Sequence, residues 1–138
     1  MKKSIALLSA LMAITVLLLS GCASNKLPDV FSEEEVIAKA ESAVDVINTG
    51  DYEEVNKLLR EDLRTQLTAT QIEEAFSPLL DDAGAFVEVT NTATAGQTVQ
   101  STGEKLATVA LVCKYENASI TYTMMMDENL NLVGLYIK

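Results

Sequence analysis

The spacing of apolar residues changes abruptly near Gly84, and this change limits the fold more than any other feature of the chain. Before Gly84, apolar residues recur at the spacing of one helix face. After Gly84, β-branched and aromatic residues alternate with polar ones, which is typical of strands with one buried face. Helices followed by strands predict an α+β fold. We expect three N-terminal helices packed on a curved four-stranded antiparallel sheet.

Helix-capping signals divide the first half of the chain. Ser32 and Glu35 have the spacing of a capping box, and Gly50 is a candidate left-handed cap, so they bracket a first helix. Asp51 is placed to cap a second helix directly after it. The predicted apolar stripe of that second helix consists of Leu58, Leu59, Leu63 and Leu67.

The third helix is predicted to begin at Thr70, with Glu73 in the capping-box position. Pro78 lies inside this segment and is expected to kink the helix or restart it. Asp81 and Asp82 are then interpreted as loop residues in contact with solvent, not as a catalytic pair.

Four strands follow, and short turns between them predict an antiparallel meander. Their expected bounds are residues 86–99, 106–115, 118–126 and 130–137. Gly96 and Gly103 are candidate sites for bulges or bends in this sheet. In the third strand, alternation places Tyr122, Met124 and Met126 on one face. These three residues are candidates to line a cone-shaped cavity, and the alternative is that they fill the core beneath the helices.

The first 22 residues have the pattern of an export signal. Lys2 and Lys3 precede an apolar run that is shorter than the roughly 20 residues of a membrane-spanning helix. The run ends in Leu19-Ser20-Gly21-Cys22, which resembles the lipobox of bacterial lipoproteins. Residues 1–21 are therefore interpreted as a signal peptide, Cys22 as the lipidation site, residues 22–31 as a tether and residues 32–138 as one domain. The alternative is an ordinary secretory signal or short anchor with a chance cysteine.

Charge and composition exclude several classes of function. The chain has 138 residues, a net charge of −10 and no histidine. An acidic protein is a poor partner for nucleic acid, and the commonest general base and zinc ligand is absent from the sequence. Once Cys22 is lipidated, Cys113 has no intramolecular partner, and its apolar surroundings predict a buried thiol. We expect no metal, no cofactor and no catalytic residue.

Several segments resemble an uncharacterised bacterial family, the domain of unknown function 3887 family. They are Ile47-Asn48-Thr49-Gly50-Asp51-Tyr52, Gly84-Ala85-Phe86, Tyr115-Glu116-Asn117-Ala118-Ser119-Ile120 and Asn131-Leu132-Val133-Gly134-Leu135-Tyr136-Ile137. The likeness covers about residues 32–138. It implies the cystatin-like cone fold of proteins similar to nuclear transport factor 2, and it implies no activity.

The function expected from the sequence is binding. The chain is interpreted as a cell-membrane lipoprotein that faces away from the cytoplasm and binds a small apolar ligand or an envelope protein without catalysis. One alternative is an interaction module, or a homodimer, that uses the exposed sheet face around Thr121, Thr123 and Met125. Another is an enzyme with a histidine-free site of carboxylates and tyrosines in the cone.

Overall fold

The computed structural model describes residues 26–138, so the predictions for residues 1–25, Cys22 included, lie outside the described residues. Helix α1 spans Glu33–Asn48, and the Ser32 side chain accepts a hydrogen bond from the Glu35 amide at its start. Gly50 follows the helix with a φ of 76°, a conformation that favours glycine. The predicted first helix is therefore confirmed at both ends. Its buried positions are Val36, Ala40, Ala43, Val44 and Ile47.

The second helix is shorter than predicted. Helix α2 spans only Tyr52–Lys57, capped by Asp51 as expected, and a 3-10 turn follows at Glu61–Leu63. Leu58 continues the helical turn, and the chain then leaves the helix at Leu59. There the Arg60 amide donates to the Leu132 carbonyl at 2.8 Å, and Leu59 forms a parallel bridge to Leu132. Pairing with the sheet thus overrides the helical spacing of the leucines. The predicted continuous stripe does not form on one helix.

The third helix, α3, spans Ala69–Ala83. Its capping box joins Thr68 to Gln71, so the predicted start at Thr70 was wrong by two residues. Pro78 lies within the helix and does not restart it. Because the helix continues to Ala83, Asp81 and Asp82 lie in its last turn and not in a loop.

The sheet is a four-stranded antiparallel meander in the order β1-β2-β3-β4, and it is curved and open. The strands are β1 (Phe86–Thr98), β2 (Lys105–Tyr115), β3 (Ser119–Met126) and β4 (Leu132–Ile137). The register of β1 on β2 shifts between Phe86 and Glu88 and between Val89 and Asn91. The irregularities in β1 therefore lie near its start, and not at Gly96 as predicted.

The helices cover one face of the sheet, and the core lies between the two layers. Tyr122, Met124 and Met126 are fully buried in this core, as is Cys113, which the sequence predicted to be buried. Thr121, Thr123 and Met125 alternate with them and are half-buried on the other face. The predicted α+β architecture is confirmed.

The segment before α1 packs against the sheet. A Cβ atom added at Gly96 would lie 2.1 Å from Cδ of Pro28 and 2.9 Å from the carbonyl oxygen of Lys26. The Phe31 amide donates to the Pro28 carbonyl at 3.0 Å, and the Phe31 ring is buried in the core. The part of the predicted tether from Lys26 onward is thus docked on β1.

Candidate functional site

A cleft of about 400 Å³ opens at the end of the sheet where β1 begins. The end of α1 and the start of α2 form one side, and the end of α3 and the start of β1 form the other. The lining residues are Ile47, Asn48, Thr49, Gly50, Tyr52, Leu80, Asp81, Gly84, Ala85, Phe86 and Tyr115. A cleft of this size matches the lower part of the range for small-molecule sites.

A chain of hydroxyl groups connects the cleft to the core. The Tyr115 hydroxyl donates to Oδ1 of Asn48 at 2.8 Å and lies 2.6 Å from the Tyr122 hydroxyl. Because Tyr115 has a single proton and gives it to Asn48, Tyr122 is the donor in the second bond. Burial raises the pKa of both tyrosines, so both hydroxyls remain protonated at neutral pH.

Phe86 forms part of the aromatic wall of the cleft. Its ring meets the Tyr115 ring edge to face, with 5.5 Å between centroids and 79° between planes. Phe86 as a residue is 36% exposed, so it remains partly open to a ligand. Tyr52 contributes a third ring from the start of α2.

The cleft is acidic around Tyr52. Burial raises the pKa of Tyr52, and the negative charges of Glu73 and Asp81 raise it further. Asp81 itself lines the cleft. Within residues 26–138, the lining residues include neither lysine nor arginine. The charge that the described lining residues bring to the cleft is therefore the negative charge of Asp81.

The turn between α3 and β1 is held by the hairpin between β2 and β3. The Glu116 side chain accepts from the Ala85 amide at 3.2 Å, and the Glu116 amide donates to the Ala85 carbonyl at 2.9 Å. The Asn117 amide donates to the Ala83 carbonyl at 2.9 Å. Gly84 has a φ of 81°, and a Cβ there would lie 2.9 Å from Oε2 of Glu116. The turn is thus fixed in place, and it keeps the cleft open.

The three candidate cone-lining residues are not among the residues that line this cleft. Met124 and Met126 are enclosed by the core, and Tyr122 reaches the cleft only through the hydroxyl of Tyr115. The sequence analysis missed Tyr52, Asp81, Phe86 and Tyr115 as site residues. The sequence did carry one signal, because nine of the eleven lining residues lie in the segments that resemble the family, and only Leu80 and Asp81 lie outside them.

Comparison with known proteins places the chain in a family. A family model described as a protein of unknown function (DUF3887) matches residues 40–135. The chain belongs to the DUF3887 family. The DUF3887 domain also resembles the NMR structure of a protein from Ruminococcus gnavus ATCC 29149, with a TM-score of 0.74 and 27% sequence identity over 82% of this chain and 96% of that chain. A comparison with curated proteins gives no match.

Two features are absent from residues 26–138. Within that range, no three cysteine, aspartate or glutamate side chains come together as a metal site would require. None of the helices in the same range combines the length and the apolar character needed to span a bilayer.

Proposed function

We propose that this protein is a lipid-anchored component of the bacterial cell envelope, facing away from the cytoplasm, whose DUF3887 domain binds a small ligand in the cleft and does not transform it. The observation that carries the proposal is the convergence of two separate segments. Residues 47–52 and 84–86 both carry the resemblance to the family, and together they form most of the cleft. Segments far apart in sequence that meet around one concavity favour a shared binding role.

The protonation of the tyrosine hydroxyls favours binding without catalysis. Tyr52, Tyr115 and Tyr122 all have raised pKa values, so none is prepared to act as a tyrosinate base. The chain contains no histidine that would relay a proton. Positioned hydroxyls and aromatic rings suit recognition.

The cleft is favoured over the interior of the cone because the interior is occupied. Tyr122, Met124 and Met126 are fully buried by the helices. A ligand among them would have to displace packed side chains, and close-packed interiors resist this.

The docked segment limits how far the domain stands from the membrane. Lys26 already lies against Gly96, so only four peptide units separate it from Cys22. At about 3.6 Å for each residue, that link reaches at most about 14 Å. A lipid on Cys22 would therefore hold the domain close to the bilayer surface.

Filling the cleft tests the binding role. Ala85 is exposed and lines the cleft, whereas Ala75 is exposed on α3 and does not line it. In saturation-transfer NMR with a mixture of cationic, neutral and anionic small molecules, we expect Ala85→Trp to remove the bound members and Ala75→Trp to retain them. An absence of bound members in the unaltered protein, or binding that survives Ala85→Trp, would contradict the proposal.

A homodimer through the outer sheet face is a second candidate role. The centre of that face carries Thr108, Val112, Thr121, Thr123 and Met125, all half-buried and uncharged in a strongly acidic protein. An uncharged patch on an acidic surface favours self-association. Light scattering of the full chain with Thr123→Lys tests this role, because a dimer through this face would dissociate, and a monomer before substitution excludes it.

A further inference from the structure

Two helices of similar length end beside the cleft. Helix α1 has 16 residues and helix α3 has 15, and neither carries a basic residue in its last turn. A helix C-terminus is equivalent to roughly half a negative charge, which a nearby cation ordinarily complements. Backbone amides donate to some of the terminal carbonyls, as Gly84 does to Leu80, but neither last turn supplies a cation. Residues from both helix ends line the same concavity, among them Asn48 and Asp81.

A full negative charge stands beside these helix ends. Asp81 lines the cleft, and among the described residues its side chain bonds only to the Ser77 hydroxyl, at 3.3 Å. The charge of Asp81, with that of Glu73, raises the pKa of Tyr52, so the electrostatic field of Asp81 extends to the aromatic side of the cleft. No arginine or lysine among the lining residues in 26–138 neutralises the charge of Asp81.

Aromatic residues in the walls of the cleft would also favour an organic cation. Tyr52, Phe86 and Tyr115, from α2, β1 and β2, line the same cavity. Tyr52 and Phe86 are partly exposed, whereas Tyr115 is buried behind them. Aromatic faces attract organic cations through the ring quadrupole, and they also supply apolar contact for methyl groups. A hydrated metal ion would gain little from such walls, whereas an alkylated ammonium ion gains from both the charge and the rings.

We infer that the cleft binds a small organic ammonium ion, with Asp81 beside its charge and the partly exposed Tyr52 and Phe86 against its carbon atoms. This inference rests on the proposed binding role and specifies the chemical class of the ligand. An anionic ligand would be repelled by the Asp81 carboxylate, and a purely neutral one would leave that charge uncompensated.

A pair of isosteric probes tests the charge directly. Choline carries a trimethylammonium group, and its carbon analogue carries a tert-butyl group of nearly the same shape. In calorimetric titrations of the full chain in a non-ionic detergent, we expect choline to bind about tenfold more tightly than the neutral analogue, as expected for a partly desolvated ion beside a carboxylate. Equal binding of the two, or tighter binding of the neutral probe, would overturn the inference.

Adjacent aspartates provide a matched pair of variants. Asp81→Asn removes the charge in the cleft and keeps an acceptor for Ser77, whereas Asp82→Asn removes the same charge from a side chain that does not line the cleft. We expect Asp81→Asn to weaken choline binding about tenfold and Asp82→Asn to change it less than about twofold. Equal effects of the two variants would show only long-range attraction to an acidic protein and would contradict the inference.

A third probe, the anion butyrate, distinguishes failure of the ammonium inference from failure of the proposed binding role of the cleft. If the neutral probe or butyrate binds at least as tightly as choline, and Ala85→Trp removes that binding, the cleft is a ligand site of a different class. If none of the three probes binds, the ammonium inference fails. The saturation-transfer mixture then decides separately whether the cleft binds any small molecule.

Discussion

The hydroxyl of Tyr122 lies 2.6 Å from the hydroxyl of Tyr115, and the two link the middle of the core to the cleft. Tyr122 is fully buried on β3, and Tyr115 passes the chain of hydrogen bonds on to Asn48 at the end of α1. This arrangement satisfies a hydroxyl that would otherwise be costly to bury. It also fixes the ring of Tyr115 in the wall of the cleft.

The two tyrosines should differ in what their hydroxyls contribute to stability. Tyr115→Phe leaves the buried Tyr122 hydroxyl unpaired and should lower the free energy of unfolding by about 2–3 kcal/mol. Tyr122→Phe leaves Tyr115 bonded to Asn48 and should cost only about 1 kcal/mol. Urea unfolding of both variants gives the comparison. A larger loss for Tyr122→Phe would mean that the direction of the hydrogen bonds is reversed.

Two adjacent methionines on β3 test whether the core is filled. Met124 is fully buried, so Met124→Ala should lower the free energy of unfolding by about 2–5 kcal/mol. Met125 lies half-buried on the opposite face, so Met125→Ala should cost less than about 1 kcal/mol. Urea titrations measure both values. A loss well below 1 kcal/mol for Met124→Ala would indicate that this side chain already borders a void.

Cys113 should make stability depend on pH in the alkaline range. Burial, and secondarily the charge of Glu41, raises the pKa of this thiol from 9.0 to about 11. The unfolded chain therefore releases the proton before the folded chain does, so stability is lost as the pH rises above about 9. Cys113→Ala should cost about 1 kcal/mol at pH 7, and this difference should close by about pH 10.

Thiol labelling provides a separate test of Cys113. The fully buried, protonated thiol should react with a maleimide only at the rate of unfolding. Labelling that is fast under native conditions, or a stability difference that stays constant from pH 7 to pH 10, would show an exposed thiol.

Gly96 should control the docking of the segment before α1. Gly96→Val places a side chain where Pro28 lies and should lower the free energy of unfolding by about 1–3 kcal/mol. It should also speed trypsin cleavage after Lys26. Ala95→Val, on the opposite face of β1, is the control and should change neither. Unchanged cleavage in Gly96→Val would show that the segment is not held by this contact.

Cys22 should carry the membrane anchor. Cys22→Ser removes the thiol that a diacylglyceryl group would modify, so the variant should incorporate no labelled palmitate and should leave the membrane fraction. Ser20→Ala keeps a small residue in the box and serves as the control. Incorporation that persists in Cys22→Ser would contradict the lipoprotein proposal.

Most of the fold could be predicted from the sequence, because apolar residues recur with a helical spacing in the first half of the chain and with a strand spacing in the second half. The alternation of Tyr122, Met124 and Met126 correctly predicted their shared buried face. Periodicity failed at Leu63 and Leu67, whose spacing also suits a helix. The amide of Arg60 pairs with Leu132, more than seventy residues away, and no local pattern reports that contact.

Much less of the candidate site could be predicted from the sequence, because the site is assembled from helix ends and strand ends. The sequence predicts Asp81 in a loop because residues 81–84 look like the end of the helix, whereas the helix continues to Ala83. Phe86 and Tyr115 looked like ordinary strand residues, and only the irregular start of β1 brings them together edge to face. Convergence of this kind depends on tertiary packing, which spacing along the chain does not encode.

We expect the cleft, and no other surface, to receive an organic ammonium ion. An amide chemical-shift titration of the isotope-labelled full chain in detergent micelles with choline tests it most directly. The account predicts saturable shifts at Gly50, Gly84 and Ala85, with Gly103 and Gly134 unmoved. Shifts concentrated at Gly134 and the outer sheet face, or no saturable shifts around Gly84, would contradict it.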